Sequence, residues 1–178
     1  QDYRKQKMFH VKDVEDTLSR MVARQEELLI DEWDWLDDPI LEEYADLAVY
    51  NLETGGAVYT RGNDIQIFTD GVEKFADLRQ EIKKAKKYIH LQYYIIRNDS
   101  VFGEIRKLLM EKAQEGVEVR ILYDAMGCRM MPPWVIREMK NAGVKVAVFF
   151  PVVLKWFEVR VNYRNQRKIV VIDGRVGY

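Results

Sequence analysis

Apolar positions recur at helical spacing through the first fifty residues. Val11, Val14, Leu18, Met21/Val22 and Leu28/Leu29 describe one helix; Asp38-Pro39 then supplies a cap and a first-turn proline ahead of a stripe at Ile40/Leu41, Tyr44 and Leu47/Ala48. The acidic piece between them, Asp31 to Asp38, reads as an exposed turn whose Trp33 and Trp35 pack on the body. After the turn-rich stretch Asn51 to Asn63 the rhythm changes. Ile65 and Ile67 alternate as in a short strand, Asp70-Gly71 marks a turn, and Val72, Phe75, Leu78/Arg79, Ile82 and Ala85 return to helical spacing. Tyr88 to Ile96 is β-rich and mostly apolar on both faces, which predicts a central strand covered on both sides.

The unit then repeats. Asn98-Asp99-Ser100 caps a helix through Val101/Phe102, Ile105, Leu108/Leu109 and Lys112/Ala113, stopped by Gly116 and followed by a strand from Val117 to Tyr123. Pro132-Pro133 opens a shorter helix through Trp134, Ile136 and Met139, before a strand from Val144 to Phe150. Three βα units in succession predict an α/β fold: a mixed, largely parallel sheet flanked by helices and preceded by two N-terminal helices. The boundary is expected near residue 50, dividing a helical segment, 1–50, from an α/β lobe, 51–178. In parallel sheets ligands gather at the carboxyl ends of strands, which draws attention to Arg97, Asn98, Asp99, Asp124 and the loop after Phe150.

Composition narrows the chemistry. A chain of 178 residues can bury a core without staples, and its one cysteine, Cys128, excludes an intrachain disulfide. With only His10 and His90 besides, neither a Cys-rich nor a His-based metal site is expected, and no organic cofactor is indicated. The net charge of −1 hides a polarised chain, with a balance of −8 in residues 1–50 and +7 in residues 129–178. Such a basic third suits a phosphodiester, a phospholipid surface or nucleic acid, although a solvated basic face would read the same. The longest uncharged apolar run, Val146 to Leu154, has nine residues, about half of what a spanning helix needs. The chain starts at Gln1 without a signal-peptide pattern, so truncation or processing is expected there.

The last segment is the most informative. Ile169 to Ile172 is a buried-strand core and Asp173-Gly174 a hairpin signal, while Gln166 and Lys168, two apart, share one face of the strand. A polar pair at a sheet edge, beside the hairpin aspartate Asp173 and in the basic third of the chain, is a candidate phosphate site.

Gln166-x-Lys168-x4-Asp173 resembles the His-x-Lys-x4-Asp signature of the phospholipase D superfamily. The run Asn162 to Gly174, together with Ile67 to Gly71, Gln92 to Ile96 and Val119 to Gly127, is similar to bacterial cardiolipin synthases. That resemblance implies a phospholipase D-like first lobe, placed after two membrane-spanning helices at the cytoplasmic face of a bacterial membrane. It also implies a covalent reaction. One motif histidine attacks the phosphorus of phosphatidylglycerol, glycerol leaves with a proton from a second motif, and another phosphatidylglycerol accepts the phosphatidyl group to give cardiolipin.

Two departures stand out: glutamine holds the histidine position, and the second copy of the signature is absent. An amide has neither a basic lone pair nor a pKa near neutrality, so Gln166 can be neither nucleophile nor acid. It can still hydrogen-bond a phosphate oxygen. A replacement made to hold substrate and a natural glutamine in a degenerate lobe both fit. By resemblance Lys168 would stabilise charge on the phosphoryl oxygens, Asp173 would support the site, and Tyr163 and Asn165 would line it. Asp124 is a pocket candidate or a loop brace, and His90 reads as a hydrogen-bonded core residue.

Two loops combine bulky apolar residues with basic ones. Met130 to Trp134 and Phe149 to Phe157, with Arg129, Lys155 and Arg160, form the mix of a surface that meets anionic lipid, through Trp134, Trp156 and Phe157. Core packing is the alternative. The partners implied are phosphatidylglycerol, cardiolipin, a membrane surface and a second catalytic lobe, supplied by a longer chain or another copy. No nucleic acid is expected, although a phospholipase D-type nuclease uses the same signature. A non-catalytic phospholipid-binding lobe is the third reading.

Overall fold

The computed structural model describes residues 11–31, 39–60, 62–149 and 166–178. The expected turn bearing Trp33 and Trp35, the Asp38 cap, and the candidate residues Trp156, Phe157, Tyr163 and Asn165 lie outside these. The chain divides into two compact units, 1–66 and 67–178.

The first unit holds helices α1 (Val11–Asp31) and α2 (Pro39–Gly55). The expected boundary at residue 50 falls inside α2. Beyond it the Gln25 side chain forms a closed pair with the Tyr59 backbone, its Nε2 donating to the carbonyl at 2.8 Å and its Oε1 accepting from the N–H at 2.7 Å. No helix among the described residues is long and apolar enough to cross a membrane.

The second unit begins with α3 (Gly71–Lys84), and continues through β1 (Tyr88–Tyr93), α4 (Ser100–Gln114), β2 (Glu118–Asp124), α5 (Pro133–Asn141), β3 (Lys145–Phe149), β4 (Lys168–Ile172) and β5 (Val176–Gly177). The starts of α4 and α5 are those the sequence announces, and Asp70, read as part of a turn, proves to be the cap of α3. Asp70 accepts from the Val72 N–H, Asp99 accepts from the Phe102 N–H at 2.9 Å, and Pro133 opens α5.

The sheet order is β3-β2-β1-β4-β5, with β1, β2 and β3 parallel and β4 and β5 antiparallel to their neighbours. Two consecutive crossovers in the same direction place α4 and α5 on one face. Against it lie Ile89 and Leu91 of β1, Val119 and Ile121 of β2, and Val170 and Ile172 of β4, packed with Leu78, Ile82, Phe102, Ile105, Leu109, Val135 and Met139 of the helices. This is the core of the unit. Its α/β class and mixed, largely parallel sheet flanked by helices are as expected.

Two details differ from expectation. Ile65 and Ile67 form no strand and stand 80% and 83% exposed, because alternation makes a strand only where a neighbour satisfies its backbone groups. The second face of β1 is not the apolar one expected of a doubly covered strand. It carries His90 beside Glu118, Arg120 and Lys145, with the Glu118 carboxylate meeting the side chains of His90, Arg120 and Lys145 at 3.1, 2.7 and 3.0 Å. The Arg120 hydrogen bond, resisted by burial and helped by Lys145 and His90, holds the Glu118 carboxyl at about 2. His90 is therefore hydrogen-bonded as expected, stacked on Tyr88 at 4.6 Å, but on a polar, half-buried face.

Candidate functional site at the carboxyl edge of the sheet

Strand register gathers the candidates. Because β4 runs antiparallel to β1 with Tyr93 opposite Lys168, the start of β4 meets the carboxyl end of β1, beside Asp124 at the end of β2 and Phe149 at the end of β3. Gln166, two residues ahead of β4, extends beyond that rung, and both Gln166 and Lys168 are exposed. The edge where parallel strands deliver their loops is thus the edge that carries the motif pair. Burial raises the Tyr93 phenol, which keeps it a neutral donor beside the lysine.

Asp173 lies elsewhere. It follows the opposite end of β4, where Ile89 pairs with Ile172, and its carboxylate accepts the N–H groups of Lys86, Lys87 and Tyr88, each at 2.8 Å. Burial works to raise this carboxyl, but the three donors and the charge of Arg175 outweigh it and hold it below its ordinary value. Its φ of 56° and that of Gly174, 67°, form the left-handed pair of a type I′ turn, closed by the Arg175 N–H on the Ile172 carbonyl at 3.0 Å. Asp173 therefore fixes the entry of β1 against the hairpin. A strand's length separates it from the motif pair, so Asp173 does not stand beside Gln166 and Lys168.

Asp124 is 1% exposed and lies buried at the carboxyl edge of the sheet. Its Oδ1 accepts the N–H groups of Met126 and Gly127 at 2.8 and 3.0 Å, which braces the loop after β2, while Oδ2 is buried with no hydrogen-bond partner among the described residues. That loop in turn clamps the exit of β1. Gly127 sits so close beneath Tyr94 that a Cβ would lie 2.0 Å from the Tyr94 carbonyl oxygen, and Cys128 Sγ accepts the Ile96 N–H at 3.1 Å. Burial raises the Cys128 thiol, so it serves as a neutral packing and hydrogen-bonding group. The sequence marks Gly127 only as the end of the Val119 to Gly127 block and Cys128 only as a lone thiol; their clamp on the exit of β1 depends on contacts that no local pattern contains.

Trp134, near the start of α5, is 54% exposed, with the Arg106 guanidinium 5.2 Å from its ring centre. Met130 on the preceding loop is exposed as well, and Met131 packs on the core. Among the described residues no group of carboxylates, histidines and cysteines could hold a metal ion.

The family model described as cardiolipin synthase, PLD-like domain, matches residues 78–178. The chain belongs to that family. The match takes in every strand of the sheet and both motif residues, Gln166 and Lys168. Relatives at high identity include a cardiolipin synthase of Oceanobacillus iheyensis, 46% identical over 80% of this chain, and the major cardiolipin synthase of Bacillus subtilis, 45% identical over 75%. A cardiolipin synthase of Staphylococcus aureus is 47% identical over 77%. This chain spans 27% to 29% of the length of these cardiolipin synthases. Among solved structures, a polyphosphate kinase from Porphyromonas gingivalis covers 55% of this chain and 15% of its own, with a TM-score of 0.41 and 15% identity, too slight a likeness to bear on function.

Proposed function

We propose that this chain is the first phospholipase D-like lobe of a cardiolipin synthase and binds the phosphatidyl group of an anionic phospholipid at Gln166 and Lys168. The observation that supports this reading best is the Tyr93–Lys168 rung at the carboxyl edge, with Gln166 just beyond it. In the whole enzyme the donor would be phosphatidylglycerol. A nitrogen–phosphorus bond forms to a motif histidine as the phosphorus–oxygen bond to glycerol breaks, and the departing oxygen takes a proton from the second motif. The hydroxyl of a second phosphatidylglycerol then attacks phosphorus, loses its proton to that group and releases the histidine, leaving cardiolipin and glycerol.

Lys168 would hold the phosphoryl oxygens throughout, and its charge counts most where water is excluded. Gln166 would donate its amide N–H to one of them without entering the covalent step. This lobe is therefore a binder rather than a transferase while glutamine occupies the position. Trp134 and Met130 would meet the headgroup layer, and the basic third of the chain would draw anionic lipid to it. Localisation at the membrane follows from the same reading, as does pairing with a second catalytic lobe.

The test is Gln166→His in the full-length protein, assayed for conversion of labelled phosphatidylglycerol to cardiolipin. Gain of transfer supports the assignment. No gain in a folded, lipid-binding variant removes Gln166 from the nucleophile's position.

A further inference from the structure

An apolar cavity of about 210 Å³ opens at the same edge as the motif pair, on the helix-covered face of the sheet. Phe75 and Leu78 of α3, Phe102 and Ile105 of α4, and Leu91 and Tyr93 of β1 line it. Ile95, Arg97, Asp99 and Val101 also border it, and all four are exposed. Its depth is apolar and its rim carries charge. It is larger than the ~150 Å³ apolar cavities that stay dry and take up benzene-sized ligands.

Its position gives it a meaning. Tyr93 lines the cavity and is also the partner of Lys168 across the ladder. Opposed residues of an antiparallel pair lie about 4.5–5.5 Å apart and point to the same face. A ligand whose anionic group rests on Lys168 therefore has an apolar chamber beside it, with the Arg97 cation on the same rim. An inorganic phosphate or a nucleic acid would leave the chamber empty; a molecule with an anionic head and a hydrocarbon tail uses both parts.

We infer that the chamber between α3, α4 and β1 receives the end of one fatty acyl chain of the phospholipid whose phosphate Lys168 binds. This rests on the phospholipid-binding role proposed above and adds to it a place for the tail. At roughly 30 Å³ for each water-sized group, the chamber holds about seven such groups, part of a chain rather than a whole one. The remainder stays in the bilayer. The lobe then draws one chain partly out of the membrane, which fixes the glycerol backbone and the attached phosphate relative to Lys168.

The experiment uses the full-length protein on vesicles containing phosphatidylglycerol with a photoactivatable diazirine at the end of one acyl chain. Cross-links to Phe75, Phe102 or Ile105 are the expected result. Cross-links confined to the Met126 to Trp134 loop would overturn the chamber and leave the lipid-binding role standing. Absence of any cross-link in a protein that still floats with the vesicles would overturn the chamber alone, and loss of flotation as well would overturn both. Ile105→Trp fills the chamber from within, and Val101→Trp blocks its rim from an exposed site that tolerates change. Either should cut labelling of the lining about tenfold, the equivalent of two displaced methylene groups, while retention of the deacylated headgroup glycerophosphoglycerol, which has no chain to place there, stays unchanged. Undiminished labelling of a folded Val101→Trp protein contradicts the inference.

Discussion

Lys168 stands directly opposite Tyr93 as the last rung of the β1–β4 ladder. One residue comes from a strand read as apolar core and the other from a motif far along the chain. Their pairing brings the motif to the edge where β1, β2 and β3 end, and the proposed phosphate site turns on it.

Replacing Lys168 by Met keeps the aliphatic stem and removes the charge. Since the side chain is exposed, thermal stability should hardly move, while binding of phosphatidylglycerol should weaken roughly tenfold, the loss of one charge-assisted hydrogen bond of about 1.5 kcal/mol. Flotation with anionic vesicles measures the first quantity to change. A variant that floats as well as the parent would detach Lys168 from the lipid.

Asp173→Asn tests the opposite end of β4. Asparagine keeps the left-handed turn but replaces a charged acceptor of three N–H groups, so a loss of about 1–2 kcal/mol is expected in denaturant titration at neutral pH. The folded carboxyl lies below its unfolded value, so its contribution is complete above the unfolded pKa of roughly 3.9 and fades as pH falls through the folded one. The gap between parent and variant should therefore close in acid. A gap independent of pH would mean that shape rather than charge holds the turn.

Glu118 adds a second acid-sensitive point on the polar face. With its carboxyl held at about 2, the ladder to His90, Arg120 and Lys145 should persist after ordinary carboxylates are protonated. Glu118→Gln should therefore lower stability at pH 4 but not at pH 1, read by circular dichroism. Equal effects at both would contradict the assigned shift.

Gly127→Ala should be among the costlier small substitutions. The new methyl would overlap the Tyr94 carbonyl, and relief requires backbone movement at the β1 exit, an overpacking cost of about 1–3 kcal/mol. Differential scanning calorimetry of the full-length protein provides the check. An unchanged transition would show that the loop yields freely.

The sequence announced much of this lobe and withheld the rest for identifiable reasons. The Asp99 cap, the prolines ahead of α5 and apolar spacing located α3, α4, α5 and the strands, since these signals are local. The false strand at Ile65 and Ile67 arose because alternation says nothing about whether a neighbouring strand exists. That β4 lies beside β1 is a long-range fact no local pattern contains, and without it Asp173 looked close to Gln166. Asp173 reads identically as a site residue or a turn residue; only its three donors, far away in sequence, separate the two. The convergence of His90, Arg120 and Lys145 on Glu118 was hidden because the three side chains come from three different strands.

The most direct measurement is a structure of the full-length protein with short-chain phosphatidylglycerol bound. The account predicts phosphate oxygens within about 2.7–3.2 Å of the Lys168 Nζ and the Gln166 amide, at the carboxyl edge beside Tyr93. A phosphate held elsewhere, with Lys168 and Gln166 both out of reach, would contradict it.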